Sequence, residues 1–504
     1  MIFDSETLPA GWFDERRFDV CVIGSGPAGL TLARTLAAKG QRVALLEGGG
    51  LDISWESEEI YEGDSVGSPY WPLTTCRKRF FGGSSNCWSG VCRELDAHDF
   101  DPLPHHRSSG WPIGKADLDP YRQATEEILD LTPDRLLSQS LFPEGADRFN
   151  QLELRYSESR FLGERFAEEV EALPNLELYV HANLVDFELD DRLQRVTEAV
   201  CRCFERPDAF RVKAETFALC LGGLENPRLL LNATRQVSFG IGNQHDLVGR
   251  FFCEHPHQNV GHVILASPMR NREVYAPKPG FMKDAEILNI ALLCTPDVRQ
   301  LALPNEIVRT TACRADFLRR LTEAVTGRTV TCNEGGLAAY LQQWQDPASL
   351  LTAELDIMSE QALNRESRVR LSDQTDRFGL RRIQLDWRFS ELDFHTVWTT
   401  TMAFGELLAE RNVGRLKLAD WLLDGSQIFP GPDEARVGGP HHMCTTRMSD
   451  DPRHGVVDKN CRVHGMDNLY LGGSSVFATG GFANPTYTIV QMALRLADHL
   501  AAVA

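Results

Sequence analysis

Near the end of the chain stands GGPHHMCTTRM, Gly438 to Met448, with His441 and His442 side by side. An imidazole titrates near neutral pH, so it serves as a general base or proton shuttle. Adjacent histidines in a Gly/Pro turn also serve as plain polar residues, and this stretch alone leaves both readings open. His255 and His257, in FFCEHPHQN, form a second pair for which a structural role is the simpler reading. Asn484, in FANPT, precedes a proline that opens an apolar helical pattern, the usual placing of a helix N-cap.

The thirteen cysteines are Cys21, Cys76, Cys87, Cys92, Cys201, Cys203, Cys220, Cys253, Cys294, Cys313, Cys332, Cys444 and Cys461. They are odd in number, scattered and without a CxxC pair, which fits free thiols in a reducing cytoplasm and argues against a disulfide framework or a zinc site. The 504 residues carry 52 basic and 71 acidic side chains, a net charge of −19. That balance argues against nucleic acid and against anionic lipid as partners. No apolar run approaches the length of a membrane span, and MIFDSETLPAGWFDERRFD lacks the apolar core of a secretory signal. A cytoplasmic protein of two large or three smaller domains is expected.

The elements that must position any chemistry begin at residue 18. FDVCVI reads as a buried strand and GSGPAG, Gly24 to Gly29, as a tight turn. LTLARTLAAKG then reads as a helix stopped at Gly40, and QRVALLE as a second buried strand ending on Glu47. Strand, glycine turn, helix, strand and acid in this order form the dinucleotide-binding fingerprint. Gly24 permits the turn, Gly26 lets the backbone approach a pyrophosphate, and Gly29 allows helix and strand to pack closely. Pro27 and Ala28 open the helix, whose N-terminus offers its positive end to phosphate. Glu47 stands about 20 residues beyond the turn, the separation suited to gripping a ribose hydroxyl. An acid there disfavours a phosphorylated ribose, and so NADP; FAD and NAD remain.

Further stretches follow: RKRFFGGSSNCWSGVCR at 77–93, VHANLVDF at 180–187, FALCLGGLENPRLLL at 217–231 with a helix start at Pro227, and VVDKNCRVHG…NLYLGGSSVFATGGFANPT ahead of a final amphipathic helix. In this order they resemble the glucose-methanol-choline (GMC) family of FAD-dependent alcohol oxidoreductases, most closely its pyranose oxidases and bacterial glycoside dehydrogenases. The resemblance covers about 18–103, 157–257 and 438–504, while roughly 258–430 carries no recognisable motif.

The resemblance implies an α/β fold: a Rossmann-like FAD-binding domain with a parallel sheet, plus an α+β substrate domain built on an antiparallel sheet. It implies an FAD-binding domain assembled from 17–105, 157–250 and 435–504, a connecting or lid region at 106–156, and a substrate domain at 251–434. His441 takes the place of the family's active-site base and Asn484 that of its second catalytic position. His442 matches no role. Cofactor contacts are implied for Gly82, Gly83, Ser84, Asn86, Cys87 and Trp88, for Val185 and Gly222, and for Gly473, Ser474, Pro485 and Thr486, besides the fingerprint residues. Cys87 stands where pyranose oxidases carry the histidine that binds FAD covalently, so a non-covalent flavin is expected. Cys444 stands where the family usually has glycine, which puts the local backbone in question.

The expected reaction is oxidation of a secondary hydroxyl of a sugar or glycoside to a ketone. Other alcohols, such as an amino-sugar or a small primary alcohol, are the alternatives, and some relatives keep FAD structurally and act as lyases. The electron acceptor stays open between oxygen and another molecule. Trp344, Trp387 and Trp398 lie in the motif-free region, where a tryptophan either stacks on a sugar face or packs in the core.

Overall fold

The computed structural model describes residues 1–106, 108–132, 140–142, 147–206, 208–269, 271–296, 351–431 and 439–503. Gly438, Trp344, Cys313 and Cys332 lie outside them.

Phe18–Ile23 forms the expected strand at the heart of a mixed sheet. A run apolar on both faces suits a parallel strand covered from both sides, and five of its six residues are buried. Val43–Leu46 pairs with it in parallel on one side and Phe210–Leu219 on the other. Beyond Val43–Leu46 come Leu176–Val180 and Ile2–Asp4, also parallel. The long strand Phe210–Leu219 splits its far edge: its first half takes the antiparallel Val196–Arg202, and its last three residues take Leu469–Leu471 in parallel. The C-terminal segment is thereby brought beside the N-terminal glycine turn.

The connecting helix Pro27–Ala38 ends as expected, with Gly40 in the left-handed region and its N–H on the carbonyl of Ala37. The final helix, Thr486–Val503, packs against it. The helix after Phe210–Leu219 departs from expectation: it spans Gly222–Asn232 and encloses Pro227. A proline inside a helix removes the N–H that would bond the carbonyl four residues back, here Gly223. The hydroxyl of Thr445 donates to that carbonyl instead, at 2.6 Å, so the helix tolerates its proline through the loop that carries His441.

The motif-free region builds a second sheet, antiparallel throughout, in the order Gly414–Leu418, His257–Leu265, Thr352–Ser359, Ile290–Pro296, Glu273–Pro277, Phe149–Leu152. The helix Glu391–Glu410 covers it with Val397, Phe404, Leu407 and Leu408. A smaller sheet joins Arg368–Thr375 and Arg381–Trp387 to Gly63–Gly67. The whole is a mixed α/β fold with a dinucleotide-binding sheet and an antiparallel sheet. Strands of the stretches 17–105 and 106–156 thus reach into sheets formed mainly by the middle of the chain.

Candidate active site

The glycine turn opens onto a cavity of about 340 Å³. Gly24 has φ +100, and a Cβ there would lie 2.7 Å from the carbonyl oxygen of Cys220, so the site requires glycine. A Cβ on Gly29 would meet the carbonyl of Gly24 at 1.8 Å, which is the close helix–strand approach the spacing calls for. A Cβ on Gly26, by contrast, would meet nothing within 4 Å. The helix Pro27–Ala38 begins with no side-chain cap, so its first N–H groups are available to an anion. Glu47 is buried on the same wall. Its Oε2 accepts from the Ser25 hydroxyl at 2.6 Å and its Oε1 from the Gly49 N–H at 2.9 Å.

Three wall residues keep a buried polar atom without a partner: Asn183 Oδ1, His442 Nε2 and Asn484 Oδ1. Gly222 leaves open space like that at Gly26, a Cβ on Gly473 would make only ordinary contact at 3.9 Å, and both hold a positive φ. Orphaned polar atoms, bare glycines and an uncapped helix end around one cavity fit a phosphate-bearing cofactor that hydrogen-bonds to its walls. Gly24, Gly26, Pro27, Ala28, Glu47, Gly83, Ser84, Cys87, Trp88, Gly222, Gly473, Ser474, Pro485 and Thr486 line it, as do His441 and Asn484.

Gly29, Gly82, Asn86 and Val185 do not line it. Gly29 serves the packing just described. Gly82 and Asn86 shape the loop, with Asn86 Nδ2 donating to the carbonyl of Phe81 at 2.9 Å and the Gly82 N–H to Ser25 Oγ at 3.2 Å. On the strand Asn183–Leu189 the wall is formed by Asn183 and Leu184, ahead of Val185. Trp387 is buried and donates its indole N–H to Gln361, and Trp398 packs in the core of the antiparallel sheet; neither reaches this cavity.

His441 is half-buried on the wall. Its Nδ1 lies 3.0 Å from Nδ1 of His255, and the ring of His257 stands 5.8 Å away. Burial, then the neighbours His255, His257 and His442, hold its pKa well below 6.5, so the ring is neutral at physiological pH. His442 is buried at 9 % exposure beside Tyr70 and Phe252, and burial takes its pKa down to about 3. Asn484 donates through Nδ2 to the carbonyl of Val91 at 3.1 Å. Its Oδ1 takes no N–H from the final helix, so the capping role its place before Pro485 predicts is not realised. Cys444 is found at φ +68, the left-handed conformation glycine adopts freely.

Sequence reasoning passed over part of this wall. Arg77 and Arg228 share the buried Glu225, at 3.2 Å and 2.5 Å, and Arg228 also pairs with Asp376. The charges of LENPR inside an apolar stretch are the signal that marked them. Glu254 was overlooked as well: its Oε1 accepts the backbone N–H of both His255 and His441, while Tyr70 donates to Oε2.

A mixed sheet bearing the dinucleotide-binding fingerprint, an antiparallel second sheet and a cavity with a neutral histidine and an asparagine on its wall fit a cofactor-dependent oxidoreductase. Residues 364–493 match the family described as GMC oxidoreductase and residues 19–55 the FAD binding domain. The chain thus carries a GMC oxidoreductase C-terminal domain and an FAD-binding domain; its cofactor is FAD and it acts on CH–OH groups. Its relatives include 6'''-hydroxyparomomycin C oxidase of Streptomyces lividus, 25% identical with 97% of this chain and 93% of that protein covered. Paromamine 6'-oxidase of Streptomyces fradiae is 24% identical, over 97% and 92% of the two chains. The crystal structure of pyridoxine 4-oxidase from Mesorbium loti shares the fold at TM-score 0.57 and 16% identity, covering 96% of this chain and 99% of that one. Among the described residues no helix is long and apolar enough to cross a membrane.

Proposed function

We propose that the protein oxidises a hydroxyl group of a sugar or glycoside to a carbonyl, with His441 as general base and Asn484 as the residue that fixes the substrate oxygen. The observation that carries this reading is the pairing of a neutral, half-buried His441 with Asn484 on one cavity wall: Asn484 Nδ2 gives one N–H to Val91 and has a second with which to donate to the substrate oxygen. Oxidation removes two hydrogens from the carbinol. His441 takes the hydroxyl proton, the C–O bond becomes C=O, and the hydride leaves the carbon. FAD, when bound, accepts that hydride. Asn484 holds the oxygen so that the breaking C–H bond is oriented, which lowers the barrier by removing rotational freedom beforehand. The positive end of the helix Thr486–Val503 lies at the same wall and favours negative charge developing there.

A secondary hydroxyl is the first choice. The names of two relatives that cover nearly the whole chain, a hydroxyparomomycin oxidase and a paromamine oxidase, favour an amino-sugar as second reading, and the net charge of −19 suits a cationic substrate. FAD is held non-covalently in this reading: Cys87 lines the cavity, but its thiol donates to the carbonyl of Ser84 and desolvation pushes its pKa up, which disfavours the reactive thiolate. The free state of the eleven described cysteines supports a reducing, cytoplasmic setting.

The test is anaerobic mixing of the yellow holoenzyme with glucose, fructose, methyl glucoside and paromamine. Bleaching by at least one of them is expected, and repeating it in air separates oxygen from other acceptors. Bleaching by none, with reduction by simple aliphatic alcohols instead, overturns the sugar reading.

A further inference from the structure

The geometry points to His255 as a positioning residue that sets the tautomer of His441 and leaves His441 Nε2 as the proton-accepting nitrogen. The inference rests on the reading of His441 as base.

The contact between the two rings is fixed from the backbone. Cys253 and Met443 exchange both N–H···O bonds, at 3.3 and 3.0 Å, so the two segments are held side by side as a short antiparallel bridge. One carboxylate oxygen, Glu254 Oε1, then accepts the N–H of His255 and the N–H of His441. With both backbones tied to the same atom, the rings meet at Nδ1···Nδ1, 3.0 Å.

A neutral imidazole has one N–H and one lone pair, so a contact between two such nitrogens needs one ring to donate and the other to accept. The direction is set at the far side of His255. Its Nε2 lies 3.4 Å from the carbonyl oxygen of Gly480, which only accepts. The proton of His255 therefore sits on Nε2, and its Nδ1 offers a lone pair. His441 must donate from Nδ1, and its own lone pair is then on Nε2. Burial and the neighbouring His257 bring the pKa of His255 down to about 3, which keeps it from becoming a double donor.

Two substitutions separate this role from mere filling of space. His255→Asn places an amide acceptor where Nδ1 stood; His255→Gln reaches Gly480 but leaves nothing at the Nδ1 position. The first readout is independent of turnover: the long-range 1H–15N spectrum of histidine-labelled holoenzyme, with His441 assigned by its loss in His441→Ala. Wild type and His255→Asn are expected to show His441 protonated at Nδ1 and bare at Nε2, and His255→Gln to show the Nε2–H form. The second readout is anaerobic flavin reduction by paromamine or whichever tested sugar bleaches the wild type. His255→Gln should slow it by about 10²-fold, the lower end of what a general base contributes, with His255→Asn within a few-fold of wild type. His255→Gln combined with His441→Ala should be no slower than His441→Ala alone.

An Nε2–H form of His441 in the wild-type spectrum, or a spectrum unmoved by His255→Gln, overturns the inference. So does equal slowing in Asn and Gln variants with full flavin content. A His441→Ala variant that reduces flavin at the wild-type rate overturns the base reading instead and leaves the spectral result standing, so the two failures are distinguishable.

Discussion

The hydroxyl of Thr445 and the carbonyl of Gly223 are joined across the site, 2.6 Å apart, because Pro227 cannot supply the helical N–H that Gly223 would otherwise receive. The same glycine admits the loop that carries His441: a Cβ on Gly223 would lie 2.2 Å from the carbonyl oxygen of His442. The proline, the glycine and the threonine thus form one device that seats the His441–His442 turn on the helix Gly222–Asn232. Thr445→Val should leave the buried carbonyl unsatisfied and cost about 1–3 kcal/mol in urea unfolding. Adding Pro227→Ala, which restores an N–H, should recover part of the loss. Additive losses in the double variant would contradict the device.

Glu47 accepts from Ser25 and Gly49 and still lines the cavity, and in the proposed reading it also accepts from a ribose hydroxyl of FAD. Glu47→Gln should weaken FAD binding by about 10-fold or more, since a hydrogen bond to a charged group contributes roughly 1.5–3 kcal/mol. Titration of apoprotein with FAD, followed by quenching of flavin fluorescence, measures it. An unchanged dissociation constant would remove Glu47 from the ribose site.

Acid precipitation of the holoenzyme should release free FAD into the supernatant, and Cys87→Ser should release it identically. Yellow colour that stays with precipitated wild-type protein and is lost in Cys87→Ser would establish a cysteinyl link.

Burial raises Glu254 and Glu360 to about 8, so the folded protein holds two protons that the unfolded chain releases near 4.5. His106, His255, His257 and His442 are shifted the other way, to between about 3 and 4, against 6.5 when unfolded. The raised acids cost stability as pH climbs from 4.5 towards 8. The lowered histidines cost it as pH falls below 6.5. Between 6.5 and 8 each acid should lower stability by up to about 1.4 kcal/mol per pH unit, offset in part by the Met1 ammonium, which burial holds below its usual 8.0. Glu254→Gln, which resembles the protonated acid, should fold normally and remove its share of that decline. A slope in this window identical to wild type would show Glu254 already ionised.

Much of this site was legible in the chain because its parts are local. The turn Gly24–Gly29 and Glu47 are set by nearby backbone needs, and sequence spacing records them. What lies outside that reach depends on partners far along the chain. Pro227 reads as a helix start because nothing nearby reveals that Thr445 replaces its missing N–H. Asn484 reads as a cap because the carbonyl of Val91, nearly 400 residues earlier, is not a local feature. His255 reads as structural until the bridge of Cys253 to Met443 brings it to His441. The antiparallel sheet left little trace because its strands pair across long stretches of the motif-free region and one edge strand, Phe149–Leu152, comes from well before it. The left-handed Cys444 is the exception: its departure from the family's glycine marked the strained position directly.

The central claim is that His441, not its neighbour, removes the proton. The direct measurement is the anaerobic rate of flavin reduction by substrate in His441→Ala and His442→Ala, both loaded with FAD. His441→Ala should be slower than wild type by about 10²–10⁴-fold, with substrate affinity little changed because the proton moves in the transition state. Its neighbour, whose ring packs between Tyr70 and Phe252, should lose far less. A fast His441→Ala beside a slow His442→Ala would contradict the account and move the base one residue along the chain.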